Sequence, residues 1–309
     1  APIFELTPGA TISPASGSVQ NFTTPVRYTV TSEDKAWHRV YAITAREQKA
    51  SNIPTTYHFE KVRIIQNVWQ EFYEEQDSGN ELTWASGNKG FKWAMSEAAT
   101  EDYPTTQIDN GKTGKCVKLE TRLTGDLGNM VGMPIAAGNL FIGSFDMLNA
   151  ITNPLSATRF GTPFYNKPLR LTGYYKYKAG EQFYENGEYT SRKDIFNIYA
   201  IFYDGVKYDS AGKGTDVTLD GNLPNQNYEH SSMVALALVS NPQETEGDEW
   251  KFFDIPFDYQ RYGKKIDEAR LAKGEYKIGI IFASSKDGAT FEGAPGSTLL
   301  IDEVELIYE

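Results

Sequence analysis

Between residues 299 and 308 the side chains alternate strictly, so that Leu300, Asp302, Val304 and Leu306 share one face of an extended chain while Ile301, Glu303 and Glu305 share the other. The even face reads as the core face, which turns Asp302 toward an apolar interior. An ionised carboxylate there gives up hydration worth on the order of several kcal/mol and needs a cation, an arginine or several N–H donors. The same period of two recurs upstream. Leu171, Tyr175 and Tyr177 alternate with Arg170, Thr172, Lys176 and Lys178, and Phe196, Ile198, Ala200 and Phe202 alternate with Asn197, Tyr199 and Ile201. Further strands are predicted at 115–122, 233–240, 250–257 and 276–283. The 233–240 tract is apolar on both faces, as a central strand is when another layer covers it. Residues 135–145 and 264–273 each read as a short helix or turn. The pattern predicts two stacked sheets.

The first fifty residues are patterned on a smaller scale. Residues 3–6, 26–32 and 37–45 read as short strands separated by Thr-Pro-Gly-Ala, Ser-Pro-Ala-Ser-Gly and Ser-Glu-Asp-Lys turns, which predicts a small β-sandwich module over 1–52. The tract 48–56 (QKASNIPTT) is small, polar and Pro-containing, as domain boundaries are. A second domain is predicted over 57–309.

Composition agrees with an all-β class. Of 309 residues, 19 are Tyr, 17 Phe, 5 Trp, 27 Gly and 14 Pro, residues that suit pleated sheets and the turns between them. A net charge of −11, with no tract of Lys and Arg interleaved with aromatics, repels polyanions and excludes nucleic acid as a partner. Cys116 is alone, so it forms no intramolecular disulfide or Cys-rich metal site and reads as a small core residue. No run of eighteen apolar residues occurs. The chain opens at Ala1-Pro2 with neither a charged nor an apolar leader, so it reads as a soluble form whose only membrane attachment is an anchor upstream of Ala1.

Two tracts carry a resemblance. TPGATISPASGSVQNFTTPVRYTVTSEDKAWHRVYAI resembles the bacterial immunoglobulin-like spacers of surface proteins from gut anaerobes. From Tyr57 onward, FEKVRIIQNVWQEFYEEQDSGNELTWASGNKGF, DNGKTGKCVKLET, AAGNLFIGSF, PFYNKPLRLTGYYKYKAG and the C-terminal strand resemble, in one order, the putative carbohydrate metabolism domain family. That resemblance implies a jelly-roll like those of carbohydrate-binding modules, secreted, periplasmic or on the outer surface of a polysaccharide-degrading bacterium, with an oligo- or polysaccharide as partner. It implies no reaction.

The residues themselves point more to binding than to cleavage. A glycosidase needs two carboxyl groups, about 5–5.5 Å apart for retention or about 6.5–9.5 Å for inversion. Glu303 and Glu305, two strand rises or about 7 Å apart on one face, would suit inversion if that face lined a cleft. Glu74-Glu75 and the Glu244–Glu249 acidic run read as solvated faces. His38, His58 and His230 have no metal-ligand spacing, and no nucleophile-elbow or phosphate-loop motif is present. Sugar binding asks only for aromatic faces and a few polar groups. TWASGNKGFKW supplies Trp84, Phe91 and Trp93, with Asn88 and Lys89 at a Gly-flanked turn, although each Trp reads equally as a core plug. The polar loop after 276–283 adds Lys286 and Asp287, and Tyr175 and Tyr177 are candidates for lining a groove. Jelly-roll binding modules often pair a Phe-Glu near the domain start with an Asp on the last strand around a structural calcium, and Phe59-Glu60 with Asp302 matches that pairing; an Arg partner such as Arg170 is the alternative for Asp302. No other cofactor is implied. The sequence thus predicts a glycan-binding protein, with a glycoside hydrolase on the same scaffold, or an adhesin or assembly subunit, as alternatives.

Overall fold

The computed structural model describes residues 1–44, 50–76 and 79–309 and divides into two compact units, 1–50 and 51–309. Both are all-β. In the first, β1 (Thr11–Ser13), β2 (Val26–Thr31) and β3 (His38–Ile43) form one antiparallel sheet in that order. Tyr28 is fully buried and its ring packs 4.7 Å from that of Phe4. Residues 3–6, predicted as a strand, are irregular and contribute Phe4 to this small core instead. The second sheet of an immunoglobulin-like sandwich is not among the described residues. Ala45, the end of the predicted third strand, lies outside the described residues.

The predicted linker is only partly a linker. Gln48 and Lys49 lie outside the described residues, and from Ser51 onward the chain is stitched into the second unit. Ile53 is buried in that core, Asn52 Nδ2 donates to the Pro163 carbonyl at 2.8 Å, and the Leu306 N–H donates to the Thr55 carbonyl at 2.7 Å. A small polar tract signals a turn, and here the apolar Ile53 within it finds the core.

Beside several two- and three-stranded sheets, two large ones form the core of the second unit. Their strands, in chain order, are β4 (Thr56–Tyr57), β5 (Thr105–Asp109), β6 (Lys115–Glu120), β7 (Asn139–Phe141), β8 (Thr162–Pro163), β9 (Pro168–Lys178), β10 (Asn197–Asp204), β11 (Met233–Leu238), β12 (Lys251–Pro256), β13 (Tyr276–Ala283) and β14 (Thr298–Tyr308). The first sheet runs β12–β9–β14–β6–β5, with β4 pairing to β14; the second runs β7–β13–β10–β11, with β8 pairing to β13. All pairings within these two sheets are antiparallel. Leu171, Tyr175 and Leu299 from the first sheet meet Ile198, Phe202 and Phe282 from the second in one core. Each such side chain contributes about 1.5–3 kcal/mol on burial. No helix among the described residues is long and apolar enough to cross a membrane.

Three local predictions are corrected. The doubly apolar β11 is an edge strand; loops cover its outer face, and its edge is bridged at Leu236 to Asp258. Residues 135–145 form short strands, while 264–273 holds a one-turn helix, Glu268–Leu271, capped by Asp267. On β14 the alternation resets at a bulge. Thr172 pairs with Glu305 but Tyr174 with Asp302, and Glu303 takes φ +48°. Leu299 and Ile301 therefore face the core before the bulge and Val304 and Leu306 after it. Asp302 points away from the core, onto the sheet's other face.

Candidate functional site

The outer face of the second sheet is apolar too. Phe141, Tyr199, Ile201 and Ile281 project there from β7, β10 and β13, opposite Ile198, Ala200 and Phe282 on the core face. Over β10 and β11, Phe160, Leu219 and Tyr228 complete a second buried cluster with them. At the other end of this face a cavity of about 170 Å³ remains open, floored by Phe141, Asn197, Tyr199 and Ile281. Its walls include Phe91, Trp93, Phe145, Met133 and Phe291.

Two segments far apart in sequence both line this cavity, and each is held by a buried polar residue. The helix α1 (Asn88–Ala94) is placed by Asn88, whose Nδ2 donates to the Thr105 carbonyl at 2.7 Å while its Oδ1 accepts the Thr105 N–H at 3.1 Å. Asn139 Oδ1 accepts the Gly87 N–H at 2.8 Å, which fixes the chain entering the helix. The loop after β13 is placed by Asp194. Its Oδ2 accepts the Ser285 and Ser297 hydroxyls at 2.5 and 2.7 Å and the Ala294 N–H at 2.7 Å, and its Oδ1 accepts the Ile195 N–H at 2.8 Å. Burial raises the Asp194 carboxyl above its usual range, with these donors acting in the opposite sense. Gly288 lets the loop lie against the strand region opposite, since a Cβ there would stand 2.2 Å from that of Ala137.

The groove continues past Phe145 and Met147 into a second, more polar hollow of about 590 Å³, lined also by Lys89, Asp146 and Arg159. Asp146 caps the helix α2 (Met147–Thr152), accepting the Leu148 and Asn149 N–H groups at 3.0 and 3.4 Å, and lies 3.9 Å from Arg159. The deeper cavity holds no Asp, Glu, His or Cys among its described lining residues; its one charged side chain is Lys286. Tyr199, whose phenol burial pushes far above its usual range, lines it as a neutral ring. Such a surface can hold a ligand against aromatic rings. It offers no acid–base pair.

Residues 58–307 match the family model described as the putative carbohydrate metabolism domain. The chain belongs to that family. Residues 1–45 match a second model, described as SGBP, N-terminal. Two solved structures are similar along most of their length. A putative glycoside hydrolase from Bacteroides vulgatus ATCC 8482 is 50% identical, with a TM-score of 0.77, over 84% of this chain and 100% of that one. A putative glycoside hydrolase from Bacteroides thetaiotaomicron VPI-5482 is 46% identical, with a TM-score of 0.75, over 99% of this chain and 85% of that one. No curated protein matches.

Within this carbohydrate metabolism domain the predicted site residues fall into three groups. Phe91, Trp93 and Lys286 line the deeper cavity and Lys89 the adjoining one. Asp287 stands beside Lys286 and is bound by Arg192. Trp84, Asn88, Tyr175 and Tyr177 are corrections. Trp84 is 1% exposed, wedged against the Tyr57, Phe59 and Phe282 rings between the sheets, so it presents no face to a sugar. Tyr175 and Tyr177 pack on Phe196 in the same core. Asn88 begins a helix instead of standing in an exposed turn, and it is fully buried.

The remaining carboxylates are engaged elsewhere. Glu303 is the bulge residue and bonds His58 Nδ1 at 2.9 Å, and Glu305 is exposed; neither lines either cavity. Glu74, predicted on a solvated face, is buried and accepts the Phe59 N–H at 2.8 Å, and burial raises its carboxyl. Glu60 and Asp302 meet at one turn, where both accept hydrogen bonds. Glu60 Oε1 accepts the Lys115 N–H at 2.8 Å; Asp302 Oδ2 accepts that of Thr113 at 3.0 Å and Oδ1 that of Glu303 at 2.8 Å. Among the described residues no three His, Cys, Asp or Glu side chains are grouped as metal ligands. Arg170, the alternative partner for Asp302, pairs with Asp254 at 2.6 Å.

Sequence reasoning missed Asp194, Phe145 and Tyr199. Asp194 had a signal, a lone carboxylate directly before the apolar run Ile195–Phe196. Phe145 and Tyr199 had none beyond being aromatic, because their meeting depends on how the sheet's outer face is roofed.

Proposed function

We propose that the carbohydrate metabolism domain binds a glycan in the groove on the outer face of its second sheet, between α1 and the loop after β13, and does not cleave it. One observation carries this reading: the groove is walled by aromatic rings, among them the 38% exposed Trp93, and its deeper part has no carboxylate among its described lining residues. Rings of this kind bury the C–H face of a pyranose, and hydrolysis requires a carboxyl pair across the bond. The SGBP N-terminal match over 1–45 supports a place at the cell surface, where such a protein would hold polysaccharide for uptake or breakdown.

The names of the two solved relatives favour hydrolysis as the second reading. Among the described residues lining the groove the one carboxylate is Asp146, which is committed to capping a helix. Glycan affinity gels run beside a reducing-sugar release assay decide between the two. Retention without sugar release supports binding; release that Asp146→Asn abolishes would replace this proposal with a hydrolase.

A further inference from the structure

The charge along the groove is opposite in sign to that of the chain. The chain carries −11 overall, yet the two joined cavities are lined by Lys286, Lys89 and Arg159 against the single carboxylate of Asp146. That carboxylate accepts two helix N–H groups and lies 3.9 Å from Arg159; Asp287 is bound by Arg192, and Asp220, across the strand pair from Arg159, accepts the Ser156 hydroxyl at 2.8 Å. Neither Lys286 nor Lys89 has an ion-pair partner among the described residues. The groove's amides are partly engaged: Asn139 accepts from Gly87 and donates to the Ala137 carbonyl, and Asn197 donates to the Tyr228 hydroxyl at 2.9 Å. The exposed cations Lys286, Lys89 and Arg159 thus stand at the groove beside its aromatic walls, placed to meet an anionic ligand.

We infer that the groove selects an acidic glycan, with Lys286, Lys89 and Arg159 as counter-charges to its carboxylate or sulfate groups and the aromatic walls holding its rings. This rests on the glycan-binding reading above and adds the ligand's charge class to it. The chain's net charge repels polyanions, so a ligand needs rings that fit the walls as well as charge. Small anions alone do not meet that requirement.

The test uses the full chain in affinity gels holding homogalacturonan, its fully methyl-esterified form, alginate, chondroitin sulfate, dextran sulfate, dextran, xylan and starch. The inference expects retention by at least one acidic polymer, weakened as salt is raised from about 0.02 to 0.5 M. It expects the esterified or unsulfated counterpart to be retained less, which also tells a carboxylate ligand from a sulfated one. Lys286→Gln and Lys89→Gln should each weaken retention by about fivefold, as partly exposed ion pairs do. Retention of neutral polymers alone would overturn the acidic class and leave glycan binding standing; retention of none would overturn both. Acidic binding indifferent to both lysine variants would place the ligand elsewhere and also overturn it.

Discussion

Asn88 and Thr105 exchange two hydrogen bonds, the Asn88 Nδ2 to the Thr105 carbonyl at 2.7 Å and the Thr105 N–H to Asn88 Oδ1 at 3.1 Å, so one side-chain amide takes the place of a neighbouring strand. The helix carrying Phe91 and Trp93 is thereby registered on the end of β5. Asn88→Ala leaves a buried N–H and carbonyl unpaired, at a cost of about 1–3 kcal/mol. Retention on a glycan gel should fall with it although Asn88 lines neither cavity. A variant that loses neither stability in urea nor retention would show that α1 is positioned by its other contacts.

Much of the fold could be read from side-chain period, and the limits of that reading have identifiable causes. Alternation along 196–203 is correct residue by residue, because β10 is central and unbroken between two apolar layers. Along 299–308 the same logic fails midway. The bulge at Glu303 adopts a left-handed φ without a glycine to announce it, so Asp302 ends on the face opposite the one its spacing implies. The site was legible only in part. Its two walls, 88–94 and 284–291, stand out as polar, Gly-containing tracts between apolar strands, but its floor is the second face of a strand whose first face is core.

The displaced Asp302 gives the stability a pH dependence. Desolvation raises its carboxyl to about 6, above the ordinary unfolded value of about 4, while the Thr113 and Glu303 N–H groups act in the opposite sense. Because the folded form holds the proton more tightly, this group's contribution is fully present below about pH 4 and is lost as pH rises through about 6. The stability difference between the wild type and Asp302→Asn should therefore shift by up to about 3 kcal/mol between pH 4 and 7 in favour of the variant. Urea titrations at both pH values measure it. A difference that stays constant would mean that Asp302 titrates normally. Replacing Gly111 by Ala should disturb the same turn, since a Cβ there would stand 2.7 Å from Asp302 Oδ2.

Asp194 ties three points of one loop to a single carboxyl, so its loss should be felt along that loop first. Asp194→Ala removes the acceptor for the Ser285 and Ser297 hydroxyls and the Ala294 N–H, at a cost of about 3 kcal/mol or more. Hydrogen exchange should quicken over 284–297 well beyond its change in β6 or β9, and glycan retention should fall as Lys286 loses its fixed place. Uniform quickening across the domain would make Asp194 a general core residue instead.

Trp84 and Trp93 sit in one eleven-residue tract and should behave oppositely. Trp84 fills the space between the sheets, with three aromatic rings within 6 Å of its own, so Trp84→Ala leaves a cavity and costs about 3–5 kcal/mol. Trp93 stands on the groove wall with 38% of its surface exposed, and Trp93→Ala should cost less than about 1 kcal/mol. Retention should follow the reverse order. Trp93→Ala should abolish it at unchanged melting temperature, because a stacking face is removed, while any Trp84→Ala protein that stays folded at low temperature should still bind. Equal loss of fold in both variants would mean that Trp93 is packing for α1 and that the sugar contacts a different ring.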